Sequence, residues 1–170
     1  DGMTTATNDG YVQDAFDIAE KIKLSDEIRQ HFVRENLASL LSRNDDDVVL
    51  DVVRLFKAPE ALLVTEDVQS RAYLAVRERM SRGDMDRAFG IASTFKVPKS
   101  KIRDAAADAT FDSLRRKGYT SYSKQILENY VTVFDSEMGP EERKKIFDEA
   151  ALDALEVSLR TGKTDIARAI

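Results

Sequence analysis

Apolar residues along this chain recur at the three- and four-residue spacing of a helix face, not at the alternation of a half-buried strand. One stretch sets the pattern. Ala72 and Val76 lie eleven and seven residues ahead of Gly83, Ala88 and Ile91 lie five and eight after it, and Phe95 and Val97-Pro98 follow. The skeleton of a Gly, a small residue five later and an aliphatic residue eight later returns at Gly10, Ala15 and Ile18. It returns again at Gly118, Ser123 and Ile126, and at Gly162, Ala167 and Ile170. Asn44, Val49 and Val52 form one more copy, and Asn is the common substitute for Gly where the backbone turns left-handed. Successive anchors are 34, 39, 35 and 44 residues apart, the range of helical-hairpin repeats.

The flanks repeat as well. Val33, Ala72, Ala107 and Ala151 stand eleven residues before an anchor, and Leu37, Val76, Phe111 and Leu155 stand seven before it. Ile22, Phe56, Phe95 and Tyr130 stand twelve after one. The physical reading is a helix that ends on a left-handed Gly or Asn, then a second helix begun by Asp45, Asp84 or Thr120. The small residue lets the two helices approach closely, and the aliphatic and aromatic positions point into the same core. Ser25, Pro59, Pro98 and Pro140 close one pair and open the next, because proline fits a first turn but not a helix interior. The predicted helices cover about 11–23, 26–42, 46–57, 65–82, 85–96, 99–117, 121–134, 140–161 and 163–170. A short separate turn is expected over 59–64, with Thr65 capping the helix after it. No linker composition interrupts the series, so residues 9–170 read as one helical-repeat domain behind a disordered tail at 1–8. Asp1 and Gly2 ahead of Met3 read as a tag remnant.

Composition sharpens this picture. Of 170 residues only seven are Gly and three Pro, and 34% are charged, which favours helix over strand. The net charge of −5 disfavours a nucleic-acid backbone as main partner, since phosphate binding needs a basic face. The absence of cysteine removes disulfides, thiolate metal sites and cysteine nucleophiles, and fits a cytoplasmic protein. No stretch approaches the roughly 18 apolar residues of a membrane span, and no signal-peptide pattern stands at the start.

The anchor phrase, best preserved as Gly83-Asp84 with Ala88 and Ile91, resembles the hairpin signature shared by tetratricopeptide and pentatricopeptide repeats. The resemblance implies an all-α fold, a right-handed array of antiparallel helical hairpins forming a short α-solenoid of about four units. It carries over no binding residues, and the chain lacks the Trp that the tetratricopeptide pattern places early in its first helix.

Chemistry is sparse. His31, the single histidine, shares a helical face with Glu27 and Glu35 but lacks the Glu-x-x-His spacing of a di-iron bundle. Asp45-Asp46-Asp47 is acid at a helix start, with no calcium-loop register. Gly162-Lys163-Thr164 lacks the first Gly and the strand of a phosphate loop. No nucleophile–base set can be built, so no catalytic residue, cofactor or metal is expected. The functional expectation is a non-enzymatic scaffold or adaptor that binds a protein or peptide on a concave face lined by first helices. Arg34, Tyr73, Asp108 and Lys117 are the candidate contact residues. The alternatives are RNA binding through basic hairpin turns (Arg71, Arg77, Arg79, Arg82 and Arg87, then Arg115, Arg116 and Lys117), or a helical segment of a larger protein whose activity lies elsewhere. The last anchor begins a helix that is cut short at Ile170, which invites a longer array, a partner or self-association there.

Overall fold

The computed structural model describes residues 12–43 and 45–170. The anchors Gly10 and Asn44 and the tail expected over 1–8 lie outside the described residues. Ten helices and no strand are present among the described residues. They are α1 (Val12–Lys21), α2 (Asp26–Ser42), α3 (Asp46–Leu55), α4 (Glu60–Leu63), α5 (Glu66–Ser81), α6 (Met85–Thr94), α7 (Lys99–Lys117), α8 (Ser121–Val133), α9 (Pro140–Arg160) and α10 (Thr164–Ala169).

The anchors within the described residues do what their chemistry requires. Gly83, Gly118 and Gly162 all have positive φ, at 79°, 71° and 72°. At Gly83 the Asp84 N–H reaches back to the Arg79 carbonyl at 2.9 Å, and at Gly162 the Lys163 N–H reaches Ser158 at 2.8 Å. Each is the six-to-one bond of a Schellman cap, which satisfies carbonyls the helix leaves open. Thr120 then caps α8 by accepting the Ser123 N–H at 3.3 Å, and Ser25 caps α2 by accepting the Ile28 N–H at 3.4 Å. Thr65 stands directly before α5, and its carbonyl accepts the Gln69 N–H at 2.8 Å as the first bond of that helix. Its hydroxyl donates back to the Leu62 carbonyl at 3.2 Å and closes the short helix α4.

A second left-handed position recurs that the Gly pattern conceals. Lys23, Lys57 and Lys96 have φ of 52°, 50° and 54°, each just after the second helix of a pair. The following N–H of Leu24, Ala58 or Val97 bonds to Ala19, Val53 or Ala92 at 3.0, 3.0 and 2.9 Å, so these are Schellman caps built without glycine. A non-glycine residue there costs about 1 kcal/mol in backbone energy. Replacing Lys57 or Lys96 with Gly is therefore expected to stabilise the protein by about 0.5 kcal/mol at each site, after the unfolded-state entropy of Gly is counted. Urea midpoints that fall in both variants would contradict this.

Contacts divide the chain into two compact units. The first holds the described residues up to Ala75 together with Ser93–Lys96, and the second holds Val76–Ala92 and Val97–Ile170. In the first unit α3 packs on both α1 and α2. Phe56 is its hub, edge-on to Phe16 at 5.6 Å and tilted against Phe32 at 5.2 Å. Val33, Leu37, Val49 and Val52 are buried here, as their register predicts. Ile18 and Ile22 are not. They are 36% and 62% exposed, because α1 turns Val12, Ala15 and Ala19 inward instead.

In the second unit α7 packs on α8 and on α9, and α10 packs on α9 and α7. Ala88, Ile91, Ile126 and Tyr130 are buried at their predicted register positions. Ser123 fills the small-residue position, and its buried hydroxyl is satisfied by Ser113 at 2.9 Å. Phe134 sits between Phe89 and Tyr130, at 5.7 and 6.1 Å. The end of the chain is used locally: Ile170 packs against a core of Leu114, Ala150 and Ala154, and the Ala169 carbonyl accepts the Tyr119 N–H at 2.5 Å.

A candidate partner-binding groove

Four register positions in the second unit, two on α7 and Ala151 and Leu155 on α9, are less buried than their equivalents in the earlier repeats. Val33 and Leu37, and Ala72 and Val76, are fully enclosed, whereas Ala107 and Phe111 on α7 are only half-buried. Ala107 and Phe111 open onto a groove of about 540 Å³ between α7 and α9. Ala107, Phe111, Ile146, Ala150 and Val157 line it with apolar surface.

Its acidic groups are unbalanced. Asp104 and Asp108 stand one turn apart on α7, and Glu149, Asp153 and Glu156 follow at four and three residues along α9. Arg103 is the one cation in the lining, and it is held elsewhere. Its guanidinium reaches Asp135 at 2.5 Å and Glu142 at 2.9 Å. Asp108 faces Arg77 at 3.5 Å and Glu149 faces Lys145 at 3.8 Å. Asp104, Asp153 and Glu156 have no basic group within 4 Å among the described residues. Like charges at helical i, i+3 and i, i+4 spacing repel, and a cation between the two rows would relieve that.

Asp135 supports one end of the groove. It lies 1% exposed in the turn between α8 and α9 and receives Arg103 from α7 through Nε at 3.0 Å and Nη2 at 2.5 Å. The buried Tyr130 hydroxyl donates to the same oxygen at 3.4 Å. The Arg103 hydrogen bonds hold the Asp135 carboxyl below the ordinary carboxylate range, against the effect of its burial. Burial pushes the Tyr130 hydroxyl up to about 12. This node joins α7, α8 and the start of α9, and so fixes the groove's walls relative to each other.

A second cavity, of about 360 Å³, lies on α8 and α9. Tyr119 and Phe147 form its aromatic wall, with ring centroids 5.8 Å apart, over Leu127 and Pro140. Of its three cations, Arg143 and Lys144 hold Glu128 and Asp148, and Lys124 also lines it.

The four candidate contact residues divide between the two units, Arg34 and Tyr73 in the first and Asp108 and Lys117 in the second. Arg34 is exposed on α2 and Tyr73 half-buried on α5, both in the first unit. Lys117 ends α7 with its ammonium 5.2 Å from the Tyr122 ring centre. Only Asp108 lines the groove. Its neighbours there are not among the candidates, and the repeat register places Ala107 and Phe111 in the core. The usable signal in the sequence is the pairing of Asp104 with Asp108 and of Glu149 with Asp153, each one helical turn apart beside an apolar stripe.

His31, Glu27 and Glu35 are exposed on α2. No three His, Asp or Glu side chains among the described residues are placed so that they could hold one metal ion. The basic hairpin turns are laced with carboxylates: Arg82 with Glu78, Arg87 with Asp84, and Arg77, Arg115 and Arg116 all around Asp112. No helix among the described residues is long and apolar enough to cross a membrane. No family model, curated protein or solved structure matches the chain.

Proposed function

We propose that this protein is a non-enzymatic interaction module of the helical-repeat kind, an adaptor that holds a segment of another protein in the groove between α7 and α9. One observation carries the reading. A groove of about 540 Å³ with an apolar stripe in its lining has three carboxylates without a basic partner among the described residues, so it offers both a desolvation gain and unsatisfied charge to a ligand. The recurring caps at Gly83 and Gly162, and at Lys23, Lys57 and Lys96, support the repeat architecture, because the same turn is built each time from the same bonds. A protein ligand is favoured over RNA because the groove is acidic and the arginines of the hairpin turns already hold carboxylates.

The test is site-specific photocrosslinking in the cells that make the protein. A benzophenone side chain at Ala107 should give protease-sensitive, ribonuclease-resistant adducts, and the same group at the exposed Gln125 of α8 should not. Adducts to RNA, or equal labelling from both positions, would end this reading.

A further inference from the structure

Taking the α7/α9 groove as the protein-binding site proposed above, we infer that its occupant is an amphipathic helix of the partner, apolar along one face and lined with lysine and arginine on both flanks of that face.

The backbone argument selects a helix. Both walls are helices, whose N–H and C=O groups are bonded internally, so the groove offers no strand edge. An extended peptide laid between them would bury backbone polar groups without partners, whereas a helix brings its own bonds satisfied. The dimensions agree. From Arg103 to Phe111 α7 rises roughly 12 Å, and from Ile146 to Val157 α9 rises roughly 17 Å, which matches two to three turns of a third helix.

The charge argument selects the flanks. Asp104 and Asp108 stand on one wall, and Glu149, Asp153 and Glu156 on the other, with the apolar side chains shared between them. A helix seated on Phe111 and Ile146 through residues at i and i+4 presents its neighbouring positions to both acidic rows. Lysine or arginine there meets Asp104 on one side and Asp153 and Glu156 on the other. An acidic or neutral helix of the same apolar pattern would leave the rows repelling one another.

The experiment uses the whole chain and three synthetic peptides. The first has leucine at i, i+3 and i+4 spacing with lysine elsewhere, the second replaces every lysine by glutamate, and the third is the lysine peptide with two central prolines. Binding is followed by calorimetry and by the amide resonances of Ala107, Phe111, Ile146 and Ala150. The lysine peptide should bind one to one, shift those resonances and become helical. The triple variant Asp104→Lys, Asp153→Lys, Glu156→Lys alters only exposed side chains and should lower that affinity at least about tenfold, while gaining affinity for the glutamate peptide. The variant Glu27→Lys, Glu35→Lys, Glu66→Lys makes the same change in net charge far along the chain and should leave affinity within about twofold.

Equal weakening by both triple variants would mean bulk charge attraction, and the inference would fall. Equal binding of the proline or glutamate peptide at the groove would also overturn it, while leaving the groove a protein-binding site. If no peptide moves a groove resonance, the basic helix is rejected, and the crosslinks from Ala107 alone then decide whether a protein segment of other chemistry occupies the groove.

Discussion

Replacing Gly118 with alanine is expected to cost about 3 kcal/mol, the largest effect of any single anchor substitution. Its backbone lies at φ 71°, ψ −164°, a region essentially restricted to glycine. A Cβ added there would lie 2.5 Å from the Ala169 Cβ and 3.1 Å from the Ala169 carbonyl oxygen. The flexible tip of a long side chain could yield, but Ala169 is backbone and a methyl group at the end of α10. Relief therefore means releasing α10, losing the Tyr119–Ala169 hydrogen bond and uncovering Leu114 at Ile170. The other two anchors make the comparison quantitative. At Gly83 the new Cβ meets the Tyr122 ring and hydroxyl at 2.9 Å, and the ring can swing away by giving up its bond to the Ser81 carbonyl. Gly162 opens onto empty space, so only the left-handed backbone is penalised, at about 1 kcal/mol. The order of cost should be Gly118, then Gly83, then Gly162, read from urea denaturation of the three alanine variants. Adding Ala169→Gly to Gly118→Ala should restore part of the loss by removing the facing methyl. If Gly118→Ala proved as mild as Gly162→Ala, the docking of α10 at the end of α7 would be wrong.

Substituting Asp135 by asparagine is expected to produce the second large effect, together with a pH signature. The Arg103 hydrogen bonds depress the Asp135 carboxyl in the folded state. A carboxyl depressed on folding contributes stability that is fully present above its unfolded value of about 4 and is lost as pH falls through the folded value. An asparagine side chain would keep the shape and drop the charge. The Asp135→Asn variant should therefore be clearly less stable than the parent at pH 7, and the gap should narrow steadily below about pH 4. A gap of constant size from about pH 7 down to about pH 2.5 in urea titrations would show that the charge plays no part. The alkaline limb has the opposite logic. Burial raises the Tyr130 hydroxyl to about 12, so the unfolded chain ionises first and stability falls as pH climbs above about 10. Tyr130→Phe should flatten that limb.

Most of the helices are legible in the sequence, for a local reason. The bounds of α2, α7, α8 and α9 follow from Ser25, Pro98, Gly118, Thr120 and Pro140, each of which acts on its own backbone or the next turn. The small-residue rule also tolerates a polar exception, since Ser123 is buried at its position with a serine partner. The lysine caps are hidden from such a reading because nothing in a lysine side chain marks positive φ. Lys23, Lys57 and Lys96 are left-handed because the Schellman bonds of the turn demand it, not because lysine prefers it. Ile18 and Ile22 depart from their register for a different reason. Helical periodicity identifies an apolar stripe, but α1 carries two such stripes and only packing against α3 selects Val12, Ala15 and Ala19.

The candidate site lies further from view. Ala107 and Phe111 carry the same register as Val33 and Leu37, so a sequence assigns both pairs to the core. Whether that register is filled or left open depends on how closely the next helix approaches, and α9 leaves a groove over α7. The acidic residues face each other across it only because α7 and α9, which begin about 40 residues apart in the chain, pack side by side.

Among the described residues, the helices, the turns at Gly83, Gly118 and Gly162 and the caps that open the helices were thus written locally, since each depends on bonds within a turn or two of the residue concerned. Packing in three dimensions was needed to bring Gly118 against Ala169, to clamp Asp135 between Arg103 and Tyr130, and to set five carboxylates beside one apolar groove. Those facts join residues distant in the chain, and they rest on packing distances that no local pattern encodes.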